Sequence, residues 1–157
     1  MWLAGLSKRE LQLPRDIMYW MSARIVVADL ALLERAVNKF MGAKAGRAYA
    51  DAPGRWTFVA FAGPEICGWC WGYQLVRPDD SSMLYLHQIE VDEAHRRKGI
   101  GRELLRAFMT AGARAGATKM FLTTGAENTA ARSLYEAMGG GPASQGPTVN
   151  YWFLLNQ

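Results

Sequence analysis

The segment Val91-Asp92-Glu93-Ala94-His95-Arg96-Arg97-Lys98-Gly99-Ile100-Gly101-Arg102 constrains the fold more than any other part of the chain. An apolar strand-like run ends at Val91, a basic glycine-containing loop comes next, and a helix opens at once. The carboxyl end of a strand must therefore lie beside a helix start, which is an α/β arrangement. The first amides of a helix have no partner within it, and its dipole is positive at that end, so the junction is an anion site. Glycines there admit a phosphate without a Cβ in the way. Five bases (Arg96, Arg97, Lys98, Arg102 and Arg106) stand against Glu103 within eleven residues, while the rest of the chain carries thirteen bases and thirteen acids. A nucleic-acid binder spreads its basic residues along a face or stripe. An excess confined to one short segment points to a compact polyanion such as a diphosphate, and no nucleic-acid partner is expected. Two other glycine-loop chemistries are excluded. A dinucleotide fingerprint needs a third glycine where Leu104 stands, and a P-loop needs Gly-Lys-Ser/Thr.

The remaining pattern is consistent with one α/β domain, the number expected for 157 residues. Strand one is expected at Arg24–Ala28. Asp29 then serves as N-cap to a helix with Leu30, Leu33, Val37, Phe40 and Met41 at helical spacing. Residues 42–55 form a loop with room for one helical turn. Strands come next at Trp56–Ala62 and Ile66–Val76, joined by a turn at Gly63-Pro64-Glu65, and a fourth at Met83–Val91. A helix over Arg97–Ala115, a strand at Thr118–Thr124, a helix over Glu127–Met138 and a closing strand at Val149–Leu155 complete the order. Residues 1–22 show no clear period and read as an N-terminal extension, with the domain over 23–157. No apolar run reaches the ~20 residues of a membrane span, and the start lacks the ordered parts of a signal peptide. The expectation is a cytoplasmic protein with no membrane partner.

Cys67 and Cys70 form a CxxC within the strand-like run Ile66–Tyr73. Residues three apart in a strand are ~10 Å apart and face opposite sides, whereas a disulfide needs Cα atoms within about 7 Å. No helix starts at the motif and no second ligand pair accompanies it, so neither a redox site nor a metal site is expected. Both are read as buried filler.

Arg96-Arg97-Lys98-Gly99-Ile100-Gly101 resembles the Arg/Gln-x-x-Gly-x-Gly/Ala loop of the GNAT superfamily of acetyl-CoA-dependent N-acetyltransferases. Downstream, Asn128-Thr129-Ala130-Ala131-Arg132-Ser133-Leu134-Tyr135-Glu136-Ala137-Met138-Gly139 is similar to that family's Asn-x-x-Ala-x-x-Leu-Tyr-x-x-x-Gly segment. The resemblance implies a single GNAT-type domain, with a mixed, mostly antiparallel sheet flanked by helices and with strands four and five splayed apart. It implies acetyl-CoA as co-substrate and no metal. The thioester arm would pair with Ile89 and Val91. The diphosphate would sit on the amides of Arg97, Lys98, Gly99, Ile100, Gly101 and Arg102, with Arg96, Arg97, Lys98 and Arg102 adding charge. Asn128 and Ala131 would flank the pantetheine arm, and Tyr135 would protonate the departing thiolate.

The amine must lose a proton before it attacks, and strand four is where a base belongs. Period two puts Tyr85, His87, Ile89 and Val91 on one face, with Leu86, Gln88 and Glu90 on the other. His87 suits the task because histidine titrates nearest neutrality. A bulge, common near active sites, would instead bring Gln88 or Glu90 inward. Glu90 is the second candidate, as base or as anchor for the ammonium. His95 reads as a surface or cofactor-side residue. No activated Cys or Ser is evident, so attack on the thioester is expected to be direct.

Leu84-Tyr85-Leu86-His87-Gln88-Ile89-Glu90-Val91, with Glu93-Ala94-His95-Arg96-Arg97 after it, resembles the type I aminoglycoside 3-N-acetyltransferases, with an amide at Gln88 where those tend to carry an acid. The resemblance implies a small-molecule amine substrate of the aminoglycoside kind and a role in antibiotic resistance. A polycationic drug wants an acidic cleft, for which Asp51, Asp79, Asp80, Glu90, Asp92 and Glu93 are the candidates. Other readings are acetyl transfer to a polyamine, a metabolite amine or a protein N-terminus, and an acetyl-CoA-binding sensor without turnover. Strand-edge pairing or C-terminal strand exchange would make a homodimer.

Overall fold

The computed structural model describes residues 23–155, so the extension expected at residues 1–22 lies outside the described residues. Those described fall into two compact units, one reaching to Leu122 and one starting at Thr123. The first holds β1 (Arg24–Val27), α1 (Leu30–Met41), the single turn α2 (Arg47–Ala50), β2 (Arg55–Ala62), β3 (Glu65–Val76), β4 (Ser82–Val91), a 3-10 turn at Glu93–His95, α3 (Ile100–Arg114) and β5 (Ala117–Phe121). The second holds α4 (Thr129–Ala137).

The five strands lie in sequence order, with β1 to β4 antiparallel and β5 parallel to β4. The parallel step is possible because α3 supplies the long crossover it needs. This is the expected mixed, mostly antiparallel sheet with helices on both faces. Asp29 caps α1 as expected, its Oδ1 accepting the Leu32 amide at 2.8 Å, and the Gly42 amide closes the helix on Asn38 O at 3.0 Å. Leu33, Ala36 and Val37 of α1 pack with Val59, Phe61 and Trp69 on one face of the sheet. On the opposite face α3 buries Leu104, Leu105 and Phe108 completely, and the Phe108 ring meets Phe58 edge-on at 6.4 Å.

Two features of β4 set the shape of the molecule near its carboxyl end. First, its pairing with β5 ends at Tyr85–Phe121, while β4 runs on to Val91. That is the splay of strands four and five. Second, Gln88 pairs with Trp71 and Leu86 pairs with the next residue, Gly72, so His87 is an extra residue, a bulge. Gly72 is required there because a Cβ on it would lie 1.9 Å from Tyr85 O and 2.9 Å from the Phe108 ring.

Strand five, expected at Thr118–Thr124, is shorter and spans Ala117–Phe121. Three further expectations need correction. The helix expected from Arg97 starts at Ile100, because Arg97 has φ 61° and Gly99 φ 81°, both left-handed. The helix expected over Glu127–Met138 spans Thr129–Ala137, after Asn128 takes the cap position. The closing strand at Val149–Leu155 does not form. That segment pairs with no strand among the described residues, and its apolar side chains, Trp152 at 89% among them, are exposed. Apolar alternation makes a strand only where a neighbour supplies the ladder.

Gly72→Ala is expected to destabilise the protein by about 1–3 kcal/mol through overpacking against backbone. Gly46→Ala, where a Cβ meets nothing within 4 Å, should stay within about 0.5 kcal/mol. Urea unfolding of the two variants checks the contrast.

Candidate active site

The bulge at His87 rewrites the faces of β4. Because it consumes one residue, Tyr85, His87, Gln88 and Glu90 all look to the same side, with Trp71 and Tyr73 of β3. The contacts bear this out. Trp71 Nε1 donates to Gln88 Oε1 at 3.1 Å, and Gln88 Nε2 donates to Glu90 Oε2 at 3.1 Å. The His87 ring stacks on Trp71 at 4.3 Å and 21°, and Tyr85 meets it edge-on at 5.4 Å. Leu84, Leu86, Ile89 and Val91 take the other side, where α3 packs. Simple period two had placed Gln88 and Glu90 opposite His87; the alternative with a bulge is the one observed.

The loop after β4 is anchored at its start. Lys39, in the last turn of α1, donates to Ile66 O and pairs with Asp92 Oδ2 at 2.6 Å. The Asp92 amide donates to Cys67 O at 2.9 Å. The 3-10 turn Glu93–His95 then leads to the basic run. His95 is half-buried, not on the open surface, and its Nδ1 is fully buried without a partner.

At the start of α3 no side chain caps the helix, so the amides of Gly99, Ile100, Gly101 and Arg102 are free of side-chain partners. A Cβ on Gly99 would meet nothing within 4 Å, which leaves space for an anion against those amides. Free donors, open space and a positive dipole fit a diphosphate. The cations divide. Arg97 and Arg102 are exposed, and among the described residues neither has a side-chain partner. Arg96 Nε instead donates to Val91 O and Lys98 Nζ to Ala94 O, each at 3.1 Å. Glu103, the acid in the first turn, is matched by Arg106.

Tyr135, Asn128 and Ala131 belong to the second unit. Asn128 caps α4, its Oδ1 accepting the Ala131 amide at 3.1 Å, so the Ala131 donor is engaged, as is the Asn128 backbone N–H on Gly125 O, while the side-chain Nδ2 of Asn128 stays available. Tyr135 is half-buried, and burial raises its phenol above the ordinary range.

The acidic cleft is not assembled from the six candidates. Asp51 pairs with Arg47, Asp79 with Arg77, and Asp92 with Lys39. Asp79 and Asp80 precede β4 while Asp92 and Glu93 come after it, so the ten-residue strand separates the two pairs by ~30 Å. Among the described residues Glu90 has no cationic partner. Tyr85 shares the face of His87 as alternation implies; the addition the structure makes is that Trp71 and Tyr73 of β3 lie on that same face. The signal was present in the alternation of Trp69, Trp71 and Tyr73 along β3, opposite Tyr85.

Cys67 and Cys70 are free and buried. Burial raises both thiols above the ordinary range, and Cys67 Sγ donates to Ala60 O at 3.4 Å. Neither is a nucleophile. Neither should react with DTNB in the native protein and both should in guanidinium; a thiol reacting promptly in the native protein would contradict this assignment.

Residues 29–140 match the acetyltransferase (GNAT) family. The chain is 37% identical over 81 residues to N-alpha-acetyltransferase 40 of Saccharomyces cerevisiae, a match covering 44% of this chain and 28% of that protein. Among solved structures it is similar to an aminoglycoside acetyltransferase from an uncultured soil metagenomic sample. The TM-score is 0.71 at 21% identity, over 86% of this chain and 99% of that one. It is also similar to the aminoglycoside N-acetyltransferase AAC(6')-Iy in complex with CoA, with TM-score 0.69 at 19% identity, over 85% and 97% of the two chains. At these identities the structural likeness is one of fold.

Proposed function

The chain belongs to the GNAT acetyltransferase family, and on that premise we propose that it transfers the acetyl group of acetyl-CoA to a primary amine. The observation that carries this reading is the junction itself. An open β4 edge beyond Tyr85 leads, through the basic loop 92–99, to the free amides at the start of α3. The edge offers Ile89 and Val91 to the amide groups of a pantetheine arm, and the carbonyl of Val91 has a second lone pair beside the one Arg96 uses. The amides of Arg97 to Arg102 hold the diphosphate, with the exposed Arg97 and Arg102 adding charge and the side-chain Nδ2 of Asn128 donating to the arm.

On the bulged face, Glu90 holds the incoming ammonium and His87 takes its proton, directly or through one water. The amine then attacks the thioester carbon, the carbon–sulfur bond breaks, and the Tyr135 hydroxyl gives its proton to the thiolate; the nitrogen, which becomes the amide, sheds its surplus proton, which restores the phenol. Burial supports that role, since a raised phenol stays protonated through neutral pH. The buried thiols supply no acyl-enzyme route.

For the acceptor we assign an amino group of an aminoglycoside or a similar polyfunctional amine. Supporting it are the wording of β4, which points to the 3-N position, and the fold shared with aminoglycoside acetyltransferases. A protein N-terminus is the second reading, favoured by the stretch similar to the yeast N-alpha-acetyltransferase.

Thiol release from acetyl-CoA with an aminoglycoside panel and short peptides separates the two, and product NMR reads the position acetylated. Tyr135→Phe should lower kcat about 10²-fold or more while leaving acetyl-CoA affinity unchanged. The wild-type kcat should not fall with rising pH until about pH 10 or above, because the acid's pKa is raised rather than lowered. A fully active Tyr135→Phe would remove Tyr135 as the acid.

A further inference from the structure

The face that carries His87 and Glu90 is furnished with rings rather than with charge. Trp71 lies against His87 at 4.3 Å, Tyr85 stands at its edge, and Phe121 stacks on Tyr85 at 4.8 Å and 20°. Tyr73 continues the row at 6.1 Å from Trp71, and Tyr49 of α2 closes on both, at 5.5 Å from Trp71 and 5.9 Å from Tyr73. These side chains are half-buried, His87 and Phe121 are exposed, and the row ends at a single carboxylate, Glu90, with no cationic partner among the described residues.

From this juxtaposition of an aromatic shelf and one unneutralised carboxylate, we propose that the acceptor is a ring-bearing primary amine recognised through one ring and one positive charge. The apolar face of the ring, aryl or pyranose, lies on Tyr85 and the Trp71–His87 stack, where aromatic faces also favour a nearby cation. The ammonium meets Glu90. Gln88 fixes the number of charges: its amide joins the Trp71 indole to Glu90, at a position where a carboxylate would set two like charges side by side and attract a second cation. An aminoglycoside meets this requirement one amino-sugar ring at a time, whereas a linear polyamine has charges and no ring. The inference rests on the acetyl-transfer reading and deepens it by naming the acceptor class.

Thiol release with acetyl-CoA is measured for glucosamine, 2-phenylethylamine, spermidine and a short peptide without aromatic residues. The two ring-bearing amines should exceed the others in kcat/KM by about tenfold or more. Tyr85→Leu should raise KM for both about tenfold without changing KM for acetyl-CoA, and Tyr85→Phe, which keeps the ring, should restore it. Gln88→Glu should move the preference toward spermidine. Spermidine or the peptide equalling the ring-bearing amines, or Tyr85→Leu leaving KM unchanged, overturns the proposal. If no amine releases thiol, calorimetry separates the two claims. Binding of 2-phenylethylamine that Tyr85→Leu abolishes sinks acetyl transfer and keeps the shelf; absence of binding overturns the shelf.

Discussion

The approach of β3 to β4 at Gly72 is the constraint on which the rest of the first unit depends. There is room for a hydrogen and nothing more, because Tyr85 O and the Phe108 ring close on the position from two sides. With the strands that near, the ladder absorbs an extra residue on β4 as a bulge at His87. The bulge has two consequences. Polar groups that plain alternation would divide between the faces, His87, Gln88 and Glu90, come to share one. Ile89 and Val91 join Leu86 on the side of α3, so the core beneath the site is kept apolar while the site above it is polar and aromatic.

In the proposed reaction the same strand would serve two partners through different parts of its structure. Its side chains on the bulged face would address the amine, whereas its edge beyond Tyr85, where the pairing with β5 ends, would present backbone to the extended arm. At its end the chain enters a tethered loop, where Lys39 and Cys67 hold Asp92, and then a helix whose first amides no side chain occupies. Two left-handed residues, Arg97 and Gly99, make the bend that aims those amides outward. A glycine accepts that conformation freely, but an arginine does not, so the loop holds strain at the position where the charge is densest.

Much of this was legible in the chain. Alternation located β2, β3 and β4, Asp29 announced α1 through its cap, and the glycine-containing basic run marked a helix start that no side chain caps. Part of what escaped depends on partners distant in sequence, and part on backbone conformations and pairings that composition does not show. The bulge arises from what opposes His87 across the ladder, and Gly72, a glycine inside a strand, was the available clue. The start of α3 moved three residues because a left-handed arginine cannot be told from a helical one by composition. Val149–Leu155 has the alternation of a strand, yet a strand is defined by a neighbour's hydrogen bonds. Of the six acids expected to gather into a cleft, Asp51 and Asp79 are held by nearby Arg47 and Arg77, and Asp92 by Lys39 from α1. Charge counting sees such residues but not their pairing.

Acetyl transfer by this chain requires the open edge of β4 and the free amides of α3 to act together as one binding surface for CoA. Hydrogen exchange monitored by mass spectrometry, with and without saturating CoA, reads both segments in one experiment. Exchange should slow in peptides covering residues 86–91 and 97–102, and remain unchanged in the β3–β4 turn at residues 77–81. If CoA binds by calorimetry and neither segment gains protection, this junction is not its site and the central claim is wrong.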